Sequence, residues 1–320
     1  MFLVTGAAGF IGSHLAEALV ARGERVRALI RQSSSRRFLP AVDLAYGDLA
    51  RGDGIEKALD GVRVVIHAAG VTKALRPVDY YTGNRRASEN LAQAVAGKGI
   101  RFVHVSSLAA AGPAVGGEPL TEDAEPHPVS IYGKSKLEAE RAVRHLVPDA
   151  VIVRPPVVYG PRDVGVLEVL KPLSRGWSLQ IAGGDRWFSA VYVQDLIEGL
   201  ILAAYHPAAP GRTYYLSHSK PLSWTQFTNA AAATMHRPFR ALRIPLSVAR
   251  AVGSAAEFWS RVTGKPGMIS RDKIAEAQCA AWTCDPTRAA RELGFEARTP
   301  LEEGLARTMS WYKETGWLHY

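Results

Sequence analysis

A tyrosine and a lysine stand four residues apart in the segment Tyr132-Gly133-Lys134-Ser135-Lys136. On a helix this spacing places Tyr132 and Lys136 on one face, whereas Lys134 points elsewhere. The phenol of a tyrosine has a pKa of about 10 and is a poor base at neutral pH. A nearby ammonium favours the phenolate and lowers that pKa, so Tyr132 could exchange a proton with an alcohol or a ketone. The same spacing also suits an ordinary pair on a helix surface.

Two further polar residues could complete this group. Ser107 follows a predicted strand, and its hydroxyl could hold a substrate oxygen while Tyr132 passes the proton. Asn84 lies in a predicted helix and could hold a water molecule that relays protons to Lys136. Each residue also has a plainer interpretation, because Ser107 could cap the strand end and Asn84 could be an amide on a helix surface.

A glycine-rich turn near the start of the sequence has the spacing Gly6-x-x-Gly9-x-x-Gly12, between a predicted strand and a predicted helix. Gly6 permits a tight turn, Gly9 lets the backbone approach a pyrophosphate, and Gly12 lets helix and strand pack closely. The spacing differs from the Gly-x-Gly-x-x-Gly of ordinary dinucleotide folds, and packing alone could explain the glycines. Together with Tyr132 and Lys136, the turn predicts an enzyme that moves a hydride between a nicotinamide cofactor and a carbonyl or alcohol. The positive nicotinamide of the oxidised cofactor would act with the ammonium of Lys136 to lower the pKa of the phenol, and Lys136 could also donate to the nicotinamide ribose.

The second predicted strand ends in a basic residue where an acidic one would hold the ribose 2′-hydroxyl of NAD. Arg31 takes this place, and Arg36 and Arg37 follow after a glutamine and three serines. A guanidinium suits a 2′-phosphate because it can pair with it through two hydrogen bonds. We therefore predict NADP(H) as the cofactor in preference to NAD(H), with a solvated basic loop as the alternative.

The next two predicted strands also end at residues that suit a cofactor. Asp48 could accept a hydrogen bond from the adenine amino group, or it could cap the turn in which it lies. The segment His67-Ala68-Ala69-Gly70 is small enough to let a cofactor lie across the strand ends. We assign no chemistry to His67.

Strands and helices alternate over the first half of the chain, which is the pattern of an α/β fold. We expect a Rossmann-like doubly wound parallel sheet and a smaller C-terminal substrate lobe. The dinucleotide-binding domain is expected over residues 1–160 and mainly the substrate lobe over 161–320, with segments at about 191–220 returning to the Rossmann domain. Strands are predicted at 2–4, 25–30, 44–46, 62–67, 102–105 and 151–153, and helices at 11–22, 54–59, 84–95 and 132–146.

The composition fits an ordered protein, since 47% of the 320 residues are apolar and 22% are charged. The net charge of +9 comes from scattered basic residues without a long block, so we expect no nucleic-acid partner. Cys279 and Cys284 lack the ligand set of a structural zinc site, so we expect free thiols, a cytoplasmic location and no metal. A signal peptide and a transmembrane segment are not expected either.

These motifs resemble the extended short-chain dehydrogenase/reductase family, in its epimerase/dehydratase-type branch. The resemblance covers nearly the whole chain. The matching segments are Thr5-Gly6-x-x-Gly9-Phe10-Ile11-Gly12, Gly47-Asp48-Leu49, His67-Ala68-Ala69, Asn84 with Asn90, Val105-Ser106-Ser107, Tyr132-x-x-x-Lys136, Arg154-Pro155-Pro156-Val157-Val158-Tyr159-Gly160-Pro161 and Val191-Tyr192-Val193-Gln194-Asp195.

The resemblance implies a catalytic tetrad that here reads Asn84, Ser107, Tyr132 and Lys136, and cofactor contacts from the backbone just after Arg154. It also implies a homodimer formed through the helices that carry the asparagine and the tyrosine. With the predictions made from the residues themselves, the expected cofactor contacts are Gly6, Gly9, Phe10, Ile11, Gly12, Arg31, Arg36, Asp48, Leu49, Ala68, Ala69, Tyr132, Lys136, Pro155 and Val157.

The residues expected to face the substrate favour an apolar ligand. Sugar-nucleotide members of the family carry an arginine a few residues before the Val-Tyr-Val stretch, and that place holds Phe188 here. Arg186 is close enough for a shifted loop to supply the contact, whereas Trp187 and Phe188 make this wall apolar. Neither a threonine nor an acidic residue directly follows Ser107 to indicate dehydratase chemistry.

The C-terminal stretch resembles that of 3β-hydroxysteroid dehydrogenase-like and dihydroflavonol reductase-like members. Its apolar segment could line the entrance for a hydrophobic substrate, contact a membrane surface, or form a core or dimer-facing helix. This segment is Ile244–Val262, with Leu246, Val248, Val252, Phe258 and Trp259.

We therefore predict an NADP(H)-dependent oxidoreductase that interconverts a hydroxyl and a ketone on a hydrophobic, sterol-like or flavonoid-like small molecule. One alternative is a nucleotide-sugar epimerase or dehydratase with tightly bound NAD(P). An alternative of another class is a non-catalytic NADP(H) sensor or an RNA-associated protein. The pair Tyr132 and Lys136 disfavours this last class, because a pure binder has no use for a tuned phenol.

Overall fold

The structure, a computed structural model, describes residues 1–181, 184–264, 267 and 270–320, without the side chain of Arg261. The strands in the described residues are β1 (Phe2–Thr5), β2 (Val26–Ile30), β3 (Asp43–Tyr46), β4 (Val64–His67), β5 (Arg101–Val105), β6 (Val151–Val153), β7 (Val157–Tyr159), β8 (Trp177–Ile181), β9 (Trp187–Phe188), β10 (Ala190–Tyr192), β11 (Thr213–Tyr214), β12 (Leu222–Ser223), β13 (Arg240–Ile244) and β14 (Ala281–Trp282).

The helices connect and cover these strands. They are α1 (Phe10–Ala21), α2 (Ile55–Ala58), α3 (Pro77–Tyr80), α4 (Ala87–Val95), α5 (Leu108–Ala111), α6 (Ile131–Leu146), α7 (Gly165–Ser174), α8 (Val193–Tyr205), α9 (Trp224–Met235), α10 (Leu246–Thr263), α11 (Arg271–Gln278), α12 (Thr287–Leu293) and α13 (Leu301–Glu314), with a π-helical turn at Tyr81–Arg86 between α3 and α4.

Seven strands form the central sheet in the order β3-β2-β1-β4-β5-β6-β11. Every neighbouring pair in this sheet is parallel. The carboxyl ends of the strands therefore meet at one edge, and the order reverses direction at β1, where such sheets bind their ligands. The predicted Rossmann-like doubly wound fold is confirmed.

Alternate residues of the central strands enter two separate cores, because successive side chains of a strand point to opposite faces of the sheet. Apolar, mostly β-branched residues at consecutive positions suit a strand that is covered on both faces. One core takes Val4, Ile66, Val103 and Val153, and the other takes Leu3, Val65, Phe102 and Ile152.

The helix predicted over residues 84–95 differs in the structure. Helical structure begins earlier, with Pro77 in the first turn of α3, and the π-helical turn separates α3 from α4. Proline suits the first turn of a helix because its missing N–H would lack a partner there. A π-helical turn has no residue pattern of its own, so the sequence did not predict it.

The strands after β6, apart from β11, form small separate sheets. Three small sheets pair β10 with β7, β8 with β13, and β9 with both β12 and β14. An aromatic cluster packs beside them, in which the ring centroids of Phe188 and Phe227 lie 5.8 Å apart and those of Trp224 and Phe227 lie 6.3 Å apart. Long-range contacts of this kind cannot be read from local patterns, so few elements of this region were predicted.

Helix α10 occupies most of the apolar segment at 244–262. Five of its large apolar side chains are exposed, from 46% for Val252 to 67% for Phe258, whereas Leu246 is half-buried and Ala249 is buried. The interpretation of this segment as a core helix is therefore wrong, and the entrance, membrane and dimer interpretations are the ones that fit. Across the residues that the structure describes, no helix combines the length and the apolar character needed to cross a membrane.

Candidate active site

The glycine turn connects β1 to α1 at the edge where the strands end. Gly6 has a φ angle of +71°, which favours glycine. A Cβ atom on Gly6 would lie 2.6 Å from the backbone nitrogen of Ala69, and one on Gly12 would lie 2.2 Å from the carbonyl oxygen of Gly6. Both positions therefore exclude any side chain. Gly9, the exposed N-cap of α1, has no side chain with which to cap the helix, so the N–H groups there can face an anion.

Small and half-buried residues surround this turn. The backbone nitrogens of Ala68 and Ala69 donate to the carbonyl oxygen and the Oγ1 of Thr5, at 3.2 and 3.3 Å. Phe10 and Ile11 begin α1 with half-buried side chains. A tight turn, an uncapped helix start and two alanines at the next strand end fit the pyrophosphate of a dinucleotide.

The side chains of Ser107 and Tyr132 are neighbours, and a hydrogen bond from Ser107 acts to lower the pKa of the phenol. Ser107 follows β5, and its Oγ also accepts the backbone N–H of Ala109 at 3.2 Å as the N-cap of α5. Tyr132 stands in the first turn of α6, whose N-cap Ser130 accepts the N–H of Gly133 at 3.0 Å. One hydroxyl therefore serves as the cap and as the partner of the phenol.

Lys136 and Asn84 lie buried beside this pair. The Nζ of Lys136 donates to the carbonyl oxygen of Val105 at 2.9 Å. The Nδ2 of Asn84 donates to the Oγ of Ser135 at 2.9 Å and to the carbonyl oxygen of Val71 at 3.0 Å, and its Oδ1 accepts the N–H of Val71 at 2.7 Å. Asn84 is only 1% exposed and is therefore not an amide on a helix surface.

Gly70 lies between the side chains of Asn84 and Lys136. A Cβ atom on Gly70 would lie 3.1 Å from the Oδ1 of Asn84 and 3.8 Å from the Nζ of Lys136. The π-helical turn carries Asn84 to this point, and α6 carries Lys136 to it. The structure thus brings all four residues of the expected tetrad to the end of β5 and its neighbours.

The effect expected of Lys136 and a bound nicotinamide on the pKa of Tyr132 stays a prediction. Burial raises the pKa of Tyr132, against the hydrogen bond from Ser107 and the positive charge of Lys273. Burial also lowers the pKa of Lys136 to about 8. The cation that faces the phenol ring is Lys273, whose Nζ lies 5.3 Å from the ring centroid.

A buried ion pair behind Lys136 was not predicted. The Oε2 of Glu140 lies 2.7 Å from the Nη2 of Arg154, and both side chains are 7% exposed. Ser106 donates to the Oε1 of Glu140 at 2.5 Å. The charge of Glu140 also raises the pKa of Lys136, against the larger effect of burial. The signal in the sequence was the place of Glu140 four residues after Lys136 on α6.

The basic loop after β2 lies at the same sheet edge as the glycine turn, since β1 and β2 are parallel neighbours. Arg31 directly follows the last residue of β2 and is exposed. Arg36 donates to the phenol oxygen of Tyr46 at 2.6 Å, and its guanidinium carbon lies 5.5 Å from the ring centroid. Two guanidinium groups thus flank the end of β2.

The turn after β3 is held mainly by its own polar groups. The Oδ1 of Asp48 accepts the N–H of Ala50 at 2.9 Å, so Asp48 caps the turn. The carbonyl oxygen of Leu49 accepts a bond from the Nδ2 of Asn90 at 2.7 Å. Contacts of Asp48 and Leu49 with a cofactor stay predictions.

The segment after β6 closes the site on its other side. The carbonyl oxygen of Pro155 accepts the N–H of Leu108 at 2.8 Å, which joins this segment to the start of α5. Val157 begins β7, is 39% exposed and lines a cavity next to Ser107 and Tyr132.

This cavity has a volume of about 530 Å³, a size typical of sites for small organic molecules. Its walls are mostly apolar and come from β7, α7, β8, β9 and α9. Phe188, at the place of the expected diphosphate-binding arginine, lines it together with Arg186. The apolar lining includes Val157, Val166, Leu179, Trp187, Phe188 and Trp224.

Helix α11 brings charged residues that the sequence analysis missed. Lys273 and Glu276 line the cavity and form an ion pair with 2.7 Å between Nζ and Oε2. Asp272 accepts hydrogen bonds from the backbone of α6. About 140 residues separate these partners, and no local motif points from one to the other.

Comparisons with known proteins point to one family. Residues 2–216 match the model of the NAD dependent epimerase/dehydratase family. The chain is 30% identical over 317 residues to a ceramide reductase of Caulobacter vibrioides, covering 98% of this chain and 95% of the relative.

Two solved structures share the fold. MoeE5 in complex with UDP-glucuronic acid and NAD is 26% identical and has a TM-score of 0.74, over 98% of this chain and 99% of that one. The UDP-glucose 4-epimerase of Thermotoga maritima, solved with UDP-glucose, has a TM-score of 0.79 at 22% identity over the same shares of both chains, which supports the fold alone.

The matched segment contains the glycine turn and the tetrad, and the relatives are similar over nearly their whole length. They include oxidoreductases, so the chain is an NAD(P)-dependent enzyme. The chain belongs to the NAD dependent epimerase/dehydratase family, the extended branch of the short-chain dehydrogenases/reductases.

Proposed function

We propose that the protein is an NADP(H)-dependent oxidoreductase that interconverts a hydroxyl and a ketone on a hydrophobic small molecule. The observation that carries this proposal is the Ser107–Tyr132 pair at the wall of an apolar, partly aromatic cavity. A ketone whose oxygen approaches this pair would place its apolar body against β7, β8 and β9.

Each residue of the site has a definite task in this reaction. The nicotinamide cofactor supplies or accepts the hydride when it is bound. Ser107 holds the substrate oxygen and Tyr132 passes the proton to or from it. Asn84 fixes the segment at Val71 through two hydrogen bonds, next to the ammonium of Lys136. The walls exclude water from the reacting carbon.

A long-chain lipid ketone is the substrate class that we favour. The relative from Caulobacter vibrioides is named a ceramide reductase, and the similarity spans nearly both chains. Aromatic side chains such as Trp187 and Trp224 in the lining suit alkyl chains as well as sterol or flavonoid rings. This class refines the sterol-like or flavonoid-like substrate expected from the sequence.

The test is an NADPH oxidation assay with a 3-keto ceramide, a 3-keto steroid, a dihydroflavonol and UDP-glucose as separate substrates. We expect turnover with the keto lipid and release of NADP⁺ in each cycle. Turnover of UDP-glucose alone, without net change in the cofactor, would replace this proposal with the epimerase. Binding of NADPH without turnover of any substrate would support the non-catalytic sensor instead.

The cofactor preference rests on the exposed guanidinium of Arg31 at the end of β2, with Arg36 beside it. An Arg31→Asp variant should bind NADPH at least about 10-fold more weakly, because a carboxylate repels a 2′-phosphate, and should bind NADH no more weakly than the original protein. Arg25→Asp is the control, since Arg25 is also exposed but precedes β2 at the opposite sheet edge. An equal loss for both cofactors in Arg31→Asp contradicts the NADP(H) preference.

Nucleotide-sugar epimerisation is the second candidate, and Arg186 is the observation that favours it. Arg186 lines the cavity, and MoeE5, which shares the fold, was solved with UDP-glucuronic acid. Replacement Arg186→Leu should abolish binding of a nucleotide sugar if this candidate is correct. The same variant should leave turnover of a keto lipid within about 3-fold if our main proposal is correct, because an apolar ligand needs no cation.

We infer that α10 rests on a lipid surface, which would bring the enzyme to a membrane-dissolved substrate. Val248, Val252, Trp259 and Val262 repeat at helical spacing and are all exposed. An exposed apolar stripe of this kind suits a membrane surface. Helix α10 packs on α11, which lines the cavity, so the helix that carries the stripe lies beside a wall of the site.

Flotation with vesicles of phosphatidylcholine and phosphatidylglycerol tests this inference. The double variant Trp259→Ser/Val262→Ser should float with them at least about 10-fold less, because it loses about two buried apolar side chains. The control is Trp177→Ser, an exposed tryptophan on β8. If α10 instead joins two copies of the chain, the double variant converts a dimer to a monomer in solution and the vesicles make no difference.

A further inference from the structure

Helix α11 of the C-terminal lobe caps the helix that carries the tyrosine. The Oδ1 of Asp272 accepts the backbone N–H of Ile131 at 2.7 Å, and its Oδ2 accepts the N–H of Tyr132 at 3.2 Å. The Oγ of Ser130 accepts the N–H of Gly133 at 3.0 Å. The first N–H groups of a helix have no partner within the helix, so Asp272 and Ser130 satisfy these three. The carboxylate also lies at the positive end of the α6 dipole.

The next residue of α11 lies over the ring of the same tyrosine. The Nζ of Lys273 is 5.3 Å from the centroid of the Tyr132 ring, within the range of a cation–π contact. Glu276 holds Lys273 from the next turn, with 2.7 Å between Nζ and Oε2. Burial acts against the charge of Lys273, but Glu276 and the neighbouring tyrosines raise its pKa, so it stays an ammonium.

We propose that Asp272 and Lys273 are positioning residues for proton transfer: Asp272 fixes the backbone of Tyr132, and Lys273 fixes its ring and faces it with a positive charge. The proposal rests on the proposed function, because it assigns these residues to the reaction of Tyr132. Neither residue needs to touch the substrate or the cofactor.

Burial has the largest effect on the pKa of Tyr132, and among the charged side chains around it Lys273 lowers this pKa whereas Glu276 raises it. Ser107 donates or accepts one neutral hydrogen bond, and the ring of Tyr80 on α3 lies 6.2 Å from that of Tyr132. Lys136 on the same helix is committed to the carbonyl oxygen of Val105. The ionisable or charged groups that face Tyr132 from these elements are Tyr80, Lys136, Asp272, Lys273 and Glu276.

The same helix borders the substrate cavity, which gives the contact a second consequence. Lys273, Glu276 and Ala277 line the cavity from α11, and Tyr132 and Ser107 line it from the Rossmann side. A ligand in the cavity would therefore contact the same helix that holds the phenol through Asp272 and Lys273.

The ionisation of Tyr132 can be measured without any substrate. Tyrosine labelled with ¹³C at Cζ reports the charge of each phenol by NMR, and Tyr132→Phe identifies the signal of Tyr132. In protein saturated with NADP⁺, Lys273→Met should raise the pKa of Tyr132 by about one unit, because removal of a nearby positive charge disfavours the phenolate. Lys273→Arg retains the charge and should leave this pKa near that of the original protein.

Lys171→Met provides the matched control. Lys171 forms an ion pair of the same i,i+3 spacing with Glu168 on α7, at 2.6 Å. An unchanged pKa of Tyr132 in Lys273→Met, or an equal change in Lys171→Met, would overturn the role of Lys273. Because this titration needs no substrate, a failure to find turnover would count against the proposed function and not against this positioning role.

Turnover tests the other half of the proposal. Asp272→Ala should lower kcat about 10-fold with little change in the KM of the cofactor, because a displaced phenol affects proton transfer more than binding. Asp285→Ala is the control, since Asp285 accepts the N–H of Thr287 at the start of α12 at 2.9 Å. An unchanged kcat in Asp272→Ala overturns the role of Asp272. If that variant does not fold, Asp272→Asn, which keeps one acceptor and loses the charge, must still lower kcat at a normal melting temperature.

Discussion

The edge of the central sheet at which the cofactor is expected, called the cofactor edge, meets the substrate cavity at Tyr132. The two regions differ in which part of the chain forms them. The cofactor edge consists of main chain in fixed conformations, in which Gly6 and Gly12 leave no room for a single carbon atom. The cavity wall consists of side chains from short strands and helices that are far apart in the sequence. The first kind of surface is specified by a few local residues, and the second by many distant ones. A change at the edge should therefore be all-or-none, whereas a change in the wall should be graded.

Tyr132→Phe tests the point where the two regions meet and should have the largest effect. Loss of the phenol oxygen removes the proton donor, so kcat should fall by about 10² to 10⁴-fold. The dissociation constant of NADPH should change little, and titration calorimetry can measure it beside the turnover. Tyr205→Phe, at an exposed tyrosine on α8, is the control. If Tyr132→Phe retained turnover, the enzymatic role of this site would be excluded.

Gly12→Ala tests the all-or-none character of the cofactor edge. The added Cβ atom would lie 2.2 Å from the carbonyl oxygen of Gly6, so the turn must move. We expect a loss of about 2–3 kcal/mol in the free energy of unfolding and at least a 10-fold weaker affinity for NADPH. Urea unfolding and titration calorimetry measure the two quantities.

Gly9→Ala separates the two roles of the turn. Its Cβ atom would lie 3.2 Å from the carbonyl oxygen of Gly6, which requires a shift of only a few tenths of an ångström. The affinity for NADPH should still fall, because the added methyl group stands where the backbone would approach the pyrophosphate. Full affinity in Gly9→Ala would mean that these glycines serve packing alone.

The pH dependence of the free energy of unfolding tests the core beneath the cofactor edge. His67 and His104 are fully buried on β4 and β5. Burial, with a contribution from Lys136, lowers the pKa of His67 to about 3 and also lowers the pKa of His104. The free energy of unfolding should therefore be unaffected by these residues above about pH 6.5 and should fall below it, because only the unfolded chain then binds the protons.

His104→Phe should weaken this dependence. One buried histidine lowers the free energy of unfolding by about 2 kcal/mol between pH 7 and pH 5. Because His104→Phe lacks this histidine, its free energy of unfolding should fall by about 2 kcal/mol less than that of the original protein. Urea unfolding at the two pH values measures the difference. The exposed His145 is the site of the control variant His145→Phe, which should unfold with the pH dependence of the original protein. Equal pH dependence in all three proteins contradicts the prediction.

Trp187→Ala tests the graded character of the cavity wall and should have the smallest effect. Trp187 lines the cavity and is 47% exposed, so its removal takes away part of an apolar wall. The KM for a hydrophobic ketone should rise about 10-fold, with kcat within about 3-fold and the affinity for NADPH unchanged. Trp177→Ala is the matched control, because Trp177 is 46% exposed and lies outside the cavity lining. A similar rise of KM in both variants contradicts the cavity wall proposed here.

The same contrast explains what the sequence could predict. The glycine turn, the strands of the sheet and the spacing of Tyr132 and Lys136 depend on residues that are close in the chain, so local patterns predicted them. The capping of α6 by Asp272 joins residues about 140 positions apart, so no local pattern could predict it. For the same reason Lys273, the cation that faces the phenol ring, was not predicted. The exposure of α10 was also beyond prediction, because an apolar stripe looks the same in a core and on a surface.

The π-helical turn at Tyr81–Arg86 has a consequence for chain length. Such a turn amounts to one residue inserted into an α-helix, and each residue of an α-helix corresponds to a rotation of about 100°. Deleting one residue here would restore a regular helix from Pro77 to Val95 and would turn Asn84 away from Val71 and Ser135. A change of one residue in the length of this stretch would therefore be enough to move the amide of Asn84 into or out of the site.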